Sequence, residues 1–240
     1  MTTELNRIRD AEKRSHLEVY SAAKLFEPGS WLARPVKTVM DLLPLFEKYP
    51  QLRVLDLGSG VGRNAIPVAQ KFRHIHCRVE CVDILDYAID KLRENAEKLG
   101  VAEAVQGIVS PLDAYPVEEN AYDLILAISA LEHIESEEAF VGKLTQLRNG
   151  TRDHGIICLV INSNVTERDT RTGEAVPPQF EVNLPTDKLM GLLDNAFANW
   201  EQIKRTVVHQ QYEIPRDSGP VDLSTDVVTC VVRKYGTKIL

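Results

Sequence analysis

Between residues 53 and 162, short apolar runs alternate with amphipathic segments, and this alternation limits the possible folds more than any other feature. RVLDL (53–57), RVECVD (78–83), QGIVS (106–110), YDLILAIS (122–129) and GIICLVIN (155–162) have the length of strands, and helical patterns lie between them over 62–72, 86–99 and 137–149. Strands separated by helices need right-handed crossovers, which give a parallel sheet with helices on both faces. The segment 86–99 shows the pattern clearly. Ile89, Leu92, Ala96 and Leu99 recur at three- and four-residue steps, forming one buried stripe that Gly100 ends. Two further helical patterns, 2–26 and 36–47, precede the first strand.

The C-terminal part has a different grammar. A helical pattern over 185–197 opens on Thr186 and Asp187, and two long strand-like runs follow, 200–214 and 221–235, joined only by PRDSGP. No crossover helix fits into that connection, so the two runs pair as an antiparallel hairpin. The expected fold is α/β, a Rossmann-like doubly wound sheet of seven strands, mostly parallel, with one antiparallel strand contributed by the C-terminal hairpin. We read 1–240 as one domain, with 1–35 a helical extension or lid and 36–240 the core. Residues 163–184 read as an irregular substrate loop, since long connections without regular structure are usually functional or disordered.

With a net charge of −7 and a pI near 5.5, the chain has no general attraction to a nucleic-acid backbone or an anionic membrane, which makes a small-molecule partner the expectation. No run approaches the ~20 apolar residues of a membrane span, and the opening MTTELNRIRDAEKRSH carries charges where a signal peptide is apolar, so a cytoplasmic location is expected. Oligomeric state is open. Cys77, Cys81, Cys158 and Cys230 sit in apolar runs, as buried thiols do. A metal site built from His74, His76, Cys77 and Cys81 is disfavoured, because positions four apart on a strand lie about 13 Å apart. No metal is expected.

VLDLGSGVGRN (54–64) leads a strand into Gly58, Gly60 and Gly62 and then into a helix, a recurrent nucleotide-binding device. Its G-x-G-x-G spacing differs from the G-x-G-x-x-G that seats a dinucleotide pyrophosphate. Asp56 stands just before the first glycine, where a carboxylate repels a diphosphate and suits a cation. Asp83 ends the next strand, 21 positions after Gly62, where it can accept both hydroxyls of a ribose. The combination describes a ribose-bearing ligand with positive charge.

VLDLGSGVGRN, VECVD, SPLDAY and YDLILAISALEHI resemble, in order, the successive motifs of class I S-adenosylmethionine-dependent methyltransferases, and the resemblance covers about residues 36–235. The GSGVGRNAIPVAQ portion looks closest to tellurite-resistance-type and other small-molecule methyltransferases. The resemblance implies that S-adenosylmethionine is the cofactor and S-adenosylhomocysteine the product. It also implies site residues. Gly58, Ser59 and Gly60 would pass under the methionine part, and Asp56 would hold the loop and face the amino group. Asp83 would bind the ribose, Ile84 would cover the adenine, Leu112 and Asp113 would meet its edge, and Ala127 and Ile128 would offer carbonyls to the ammonium.

Methyl transfer needs positioning of the acceptor and, for some acceptors, removal of a proton. His133, just past the fourth strand, is the candidate base, with Glu132 beside it. The stretch AISA is not the N/D-P-P-Y loop of adenine and glutamine methyltransferases, and no Pro-Cys pair is present, so nucleic acid is not the expected substrate. Acceptor contacts are expected from Trp31 and 32–35, from Arg168, Arg171, Gln179 and Phe180, and from Tyr212 and Arg216. Two other readings stay open: a regulatory protein that binds the cofactor without catalysis, and a nicotinamide-dependent oxidoreductase, against which the glycine spacing and the terminal hairpin count.

Overall fold

The structure, a computed structural model, describes residues 14, 17, 20–216 and 219–236. The helix expected over 2–26 lies largely outside the described residues; Arg14, Leu17 and 20–22 are helical. The next helical pattern becomes α1 (Lys37–Leu42), which tightens into a 3-10 turn over Leu43–Phe46, where Pro44 cannot donate to the α-helical ladder.

β1 (Gln51–Leu57), α2 (Ala65–Lys71), β2 (His76–Asp83), α3 (Asp86–Lys98), β3 (Val105–Val109), β4 (Tyr122–Ile128) and α4 (Glu137–Gly150) then follow the expected alternation. α2 starts after Asn64, so Pro67 falls in its first turn, where backbone N–H groups have no intrahelical partner. The remaining elements are β5 (Thr151–Asp169), β6 (Ala175–Val176), α5 (Thr186–Ala196), β7 (Glu201–Ile214) and β8 (Val221–Arg233). Thr186 does not cap α5; its hydroxyl donates to Asp226 instead.

The strands run in the order β3-β2-β1-β4-β5-β8-β7, with β6 attached only to the outer part of β5. β1 to β5 are parallel, and β8 lies antiparallel between β5 and β7. The period-two alternation of strand side chains separates two cores. Val54, Leu124, Leu126, Ile156 and Cys158 join α1, α2 and α3 on one face. Leu55, Leu57, Ile125, Ala127, Ile157 and Leu159 join α4 and α5 on the other. The four cysteines are buried thiols.

One expectation fails. Residues 163–169 are not loop; they extend β5 well beyond the expected 155–162. They pair with β8 as far as Asp169 opposite Val221, past an irregularity between Ser163 and Thr166 where Asn164 turns to φ +50°. Val165 and Glu167 are buried. The rest of the segment is tied down as well: Asn164 N–H donates to the Leu184 carbonyl, and the Asn183 side chain bonds both backbone groups of Val165. β5, β8 and β7 therefore rise as a ribbon beside the C-terminal ends of the parallel strands.

Candidate active site

The chain leaves β1 for one face of the sheet and β4 for the other, so a crevice opens outside their C-terminal ends. A cavity of about 700 Å³ lies there, within the range that encloses small ligands. Residues from the glycine loop, the ends of β2 and β4, the 111–113 stretch, the 20–31 segment and the β7–β8 hairpin line it.

The glycine loop is tied to β2 by Gly58 and Ser59 N–H groups, both donating to the Val82 carbonyl. Gly58 and Gly60 have φ of +70° and +51°. A Cβ on Gly58 would fall 2.5 Å from the Ala130 Cβ, and one on Gly60 would fall 2.6 Å from the Tyr20 hydroxyl. Both positions therefore require glycine, for conformation and for close approach. Asp83 closes the arrangement at the end of β2. One carboxylate oxygen accepts from Gly60 N–H at 2.8 Å and the other from Leu85 N–H at 3.0 Å, while the residue still lines the cavity.

Asp56 is almost wholly buried beneath the loop rather than on the cavity wall. It accepts from the Ala65 N–H, and its Oδ2 has no hydrogen-bond partner among the described residues. Burial pushes this carboxyl up to about 7, helped by the neighbouring Asp83 charge and opposed by the Ala65 bond. Two carboxylates so close together suit a cationic ligand and oppose a diphosphate.

Ser59, Ile84, Leu112, Asp113 and Ile128 lie on the cavity wall. The 111–115 stretch is held from behind by α4, where the buried Lys143 Nζ donates to the Tyr115 carbonyl at 2.8 Å. Burial lowers this ammonium to about 8, with Asp113 opposing the shift. Ala127 is not on the wall; it sits inside β4 between Leu57 and Leu159, fully buried. The chain reaches the cavity only from Ile128 onward, through Ser129 at φ +49°, whose N–H donates to the Val160 carbonyl.

β5, β8 and β7 also line the cavity, through Asn162, Leu223, Tyr212 and Ile214. Trp31, Phe180, Tyr212, Ile214, Pro215 and Leu223 give it an apolar, partly aromatic wall. Trp31 meets Tyr20 edge to face and carries the Arg63 guanidinium 5.3 Å from its ring. Arg168 and Arg171 are corrections to the expectation. They lie in the β5–β6 ribbon away from the cavity, Arg168 donating to the Gly173 carbonyl and Arg171 facing Asp169. Arg216 does line the cavity, and its nearly buried guanidinium is held by both oxygens of the buried Glu167.

His133 is on the wall and Glu132 is not. Glu132 is buried, accepts from the backbone and side chain of Asn162 through Oε1, and is kept above the usual carboxylate range by that burial. His133 Nδ1 instead lies 3.0 Å from Glu181 Oε2, with Phe180 stacked on the imidazole at 5.5 Å and 20°. Tyr20, Arg63, Asn162 and Glu181 also line the cavity, although no spacing along the chain points to them.

A family model described as a methyltransferase domain matches residues 54–151. Over 92 residues the chain is 33% identical to a protein named probable (S)-tetrahydroprotoberberine N-methyltransferase 2 from Papaver bracteatum, spanning 38% of this chain and 25% of that one. Over 100 residues it is 31% identical to an S-adenosyl-L-methionine-dependent Diels-Alderase from Neonectria sp., spanning 42% and 36%. These matches cover only about a quarter to a third of the relatives' own length. The fold is shared with TehB from Haemophilus influenzae at a TM-score of 0.59 and 18% identity, over 82% of this chain and 62% of that one.

Proposed function

We propose that this chain is a class I S-adenosylmethionine-dependent methyltransferase, as the methyltransferase-domain match over 54–151 and the shared fold support, and that it moves a methyl group from that cofactor to a small-molecule acceptor. The observation that carries the reading is the pair of acids at the glycine turn: Asp83 on the cavity wall, and Asp56 beneath it with a buried oxygen that no described residue satisfies. A ligand with sulfonium and ammonium charge suits this acidic end of the cavity, and a paired phosphate does not.

In this reading Asp83 holds the ribose hydroxyls and Ile84 covers the adenine. Leu112 and Asp113 recognise the adenine edge, Gly58 to Gly60 pass under the methionine part, and the Ile128 carbonyl receives the ammonium. Asp56 acts through the loop and through its charge, without reaching the ligand. The cofactor supplies a methyl carbon already activated by its sulfonium. The protein's remaining work is to place the acceptor in line, exclude water and, where necessary, remove a proton. Trp31, Phe180 and Tyr212, all on the cavity wall, would meet the acceptor.

A cytoplasmic location accords with the acidic charge, and among the described residues no helix is long and apolar enough to cross a membrane. The test is incubation of the protein with radiolabelled S-adenosylmethionine and a small-molecule extract. Label in an extracted small molecule is the expected result. The relative named as a Diels-Alderase motivates a second reading, in which the cofactor is bound and no methyl group leaves it. Tight binding with label in neither small molecule nor protein would select that reading.

A further inference from the structure

We propose that Glu181 and His133 form a general-base pair, and that the acceptor is a ring-sized, largely apolar molecule whose nucleophilic atom carries a proton at neutral pH. This rests on the methyltransferase reading and adds to it a positioning residue and an acceptor class. Glu181 follows the Phe180 expected at the substrate end, yet it lies 48 positions from His133 in sequence, and the fold alone joins them.

The joint is built from both sides. Val182 N–H donates to the Glu132 carbonyl at 2.9 Å, which lays residues 180–182 along the 3-10 turn Leu131–His133. Glu132 is itself locked to Asn162, and Gln179 N–H donates to Glu167, so neither side of the pair is on a loose segment. The Glu181 side chain is 2% exposed and that of His133 25% exposed, so the acid is withdrawn and the imidazole meets the cavity.

A carboxylate only accepts hydrogen bonds, so the imidazole donates from Nδ1, and Nε2 becomes the atom that takes up a proton. Phe180, stacked on the ring, fixes its plane. In the step this serves, the acceptor's electron pair forms the new bond to the methyl carbon. The carbon–sulfur pair returns to sulfur as the thioether leaves, and the acceptor's proton passes to Nε2 while Glu181 faces the resulting imidazolium. An acceptor that enters as a bare lone pair needs none of this. The aromatic and aliphatic wall made by Trp31, Phe180, Tyr212, Ile214 and Leu223 selects the apolar body.

Two measurements on the full chain test the pair. The first is the 15N spectrum of histidine-labelled protein at pH 8, which reads the tautomer without turnover. His133 should be protonated on Nδ1 and bare on Nε2, and Glu181→Leu should shift it toward the Nε2–H form. A wild-type Nε2–H tautomer overturns the proposal. The second compares 2-naphthol, which must lose a proton, with isoquinoline, a body of similar size whose ring nitrogen need not. His133→Asn should lower the ratio of 2-naphthol to isoquinoline turnover by about 100-fold, the lower bound for a positioned base. Glu181→Leu should lower the ratio less, through kcat rather than KM, and Glu181→Asp should restore part of it. An unchanged ratio overturns the proposal, as does wild-type failure to methylate either probe while S-adenosylhomocysteine still binds. If S-adenosylhomocysteine does not bind at all, the methyltransferase reading itself has failed.

Discussion

Asp83 anchors the backbone of Gly60 and Leu85 through one carboxylate and also lines the cavity. Replacing it with alanine is expected to weaken S-adenosylhomocysteine binding by about 1–3 kcal/mol, the range for charge-assisted hydrogen bonds; an unchanged calorimetric affinity would remove its assigned role. Asp56 should show itself in pH rather than in affinity alone. Its folded-state value of about 7 lies above the ordinary ~3.9 of an unfolded aspartate, so the native state binds the extra proton between those values. Stability from this residue is therefore present at low pH and lost as pH rises from about 4 to about 7. Asp56→Asn should flatten that part of the urea-unfolding profile of the ligand-free protein. An unaltered slope would show that the carboxyl is ionised when buried.

At the scale of elements, α4 supports the 111–115 stretch, and the β5–β8–β7 ribbon supports the part of the cavity lined by Tyr212, Ile214 and Leu223. Lys143→Met removes the donor that holds the Tyr115 carbonyl, so the stretch bearing Leu112 and Asp113 should loosen. We expect a loss of about 0.5–1.5 kcal/mol in S-adenosylhomocysteine affinity, the net worth of such a bond, with thermal stability changed little. Glu167→Leu leaves the nearly buried Arg216 charge without its carboxylate partner, at a cost of about 3–5 kcal/mol in urea unfolding. A change below about 0.5 kcal/mol would mean that the pair does not secure the hairpin. The ribbon also shows where sequence reading stops. NSNVTERD, residues 162–169, has Val165 as its one apolar residue and so reads as loop. Its strand character comes from pairing with β8, a partner more than fifty positions away. A loop there would offer Arg168 and Arg171 to an acceptor, whereas the pairing puts Arg168 in the strand and Arg171 in the turn that follows it.

Across the whole molecule, the legible half is the strand–helix alternation, α5 and the C-terminal hairpin, and the illegible half is the 163–169 extension of β5 and much of the cavity wall. Asp56, the glycines and Asp83 could be grouped from the sequence because they lie along two adjacent strands and the turn between them. Glu181, Tyr20 and Arg63 could not, because each meets the cavity through tertiary packing that no local spacing records. Ala127, expected to offer its carbonyl, stays within β4, which pairs with β5 through Ile128 before the chain turns into the cavity. Both halves depend on the crevice between β1 and β4 receiving a cationic nucleoside. Calorimetric titration of the full chain with S-adenosylhomocysteine and, separately, with NADH examines this directly. One-to-one binding of S-adenosylhomocysteine with no heat from NADH is expected, whereas binding of NADH without S-adenosylhomocysteine would overturn the assignment of the crevice and every role built on it.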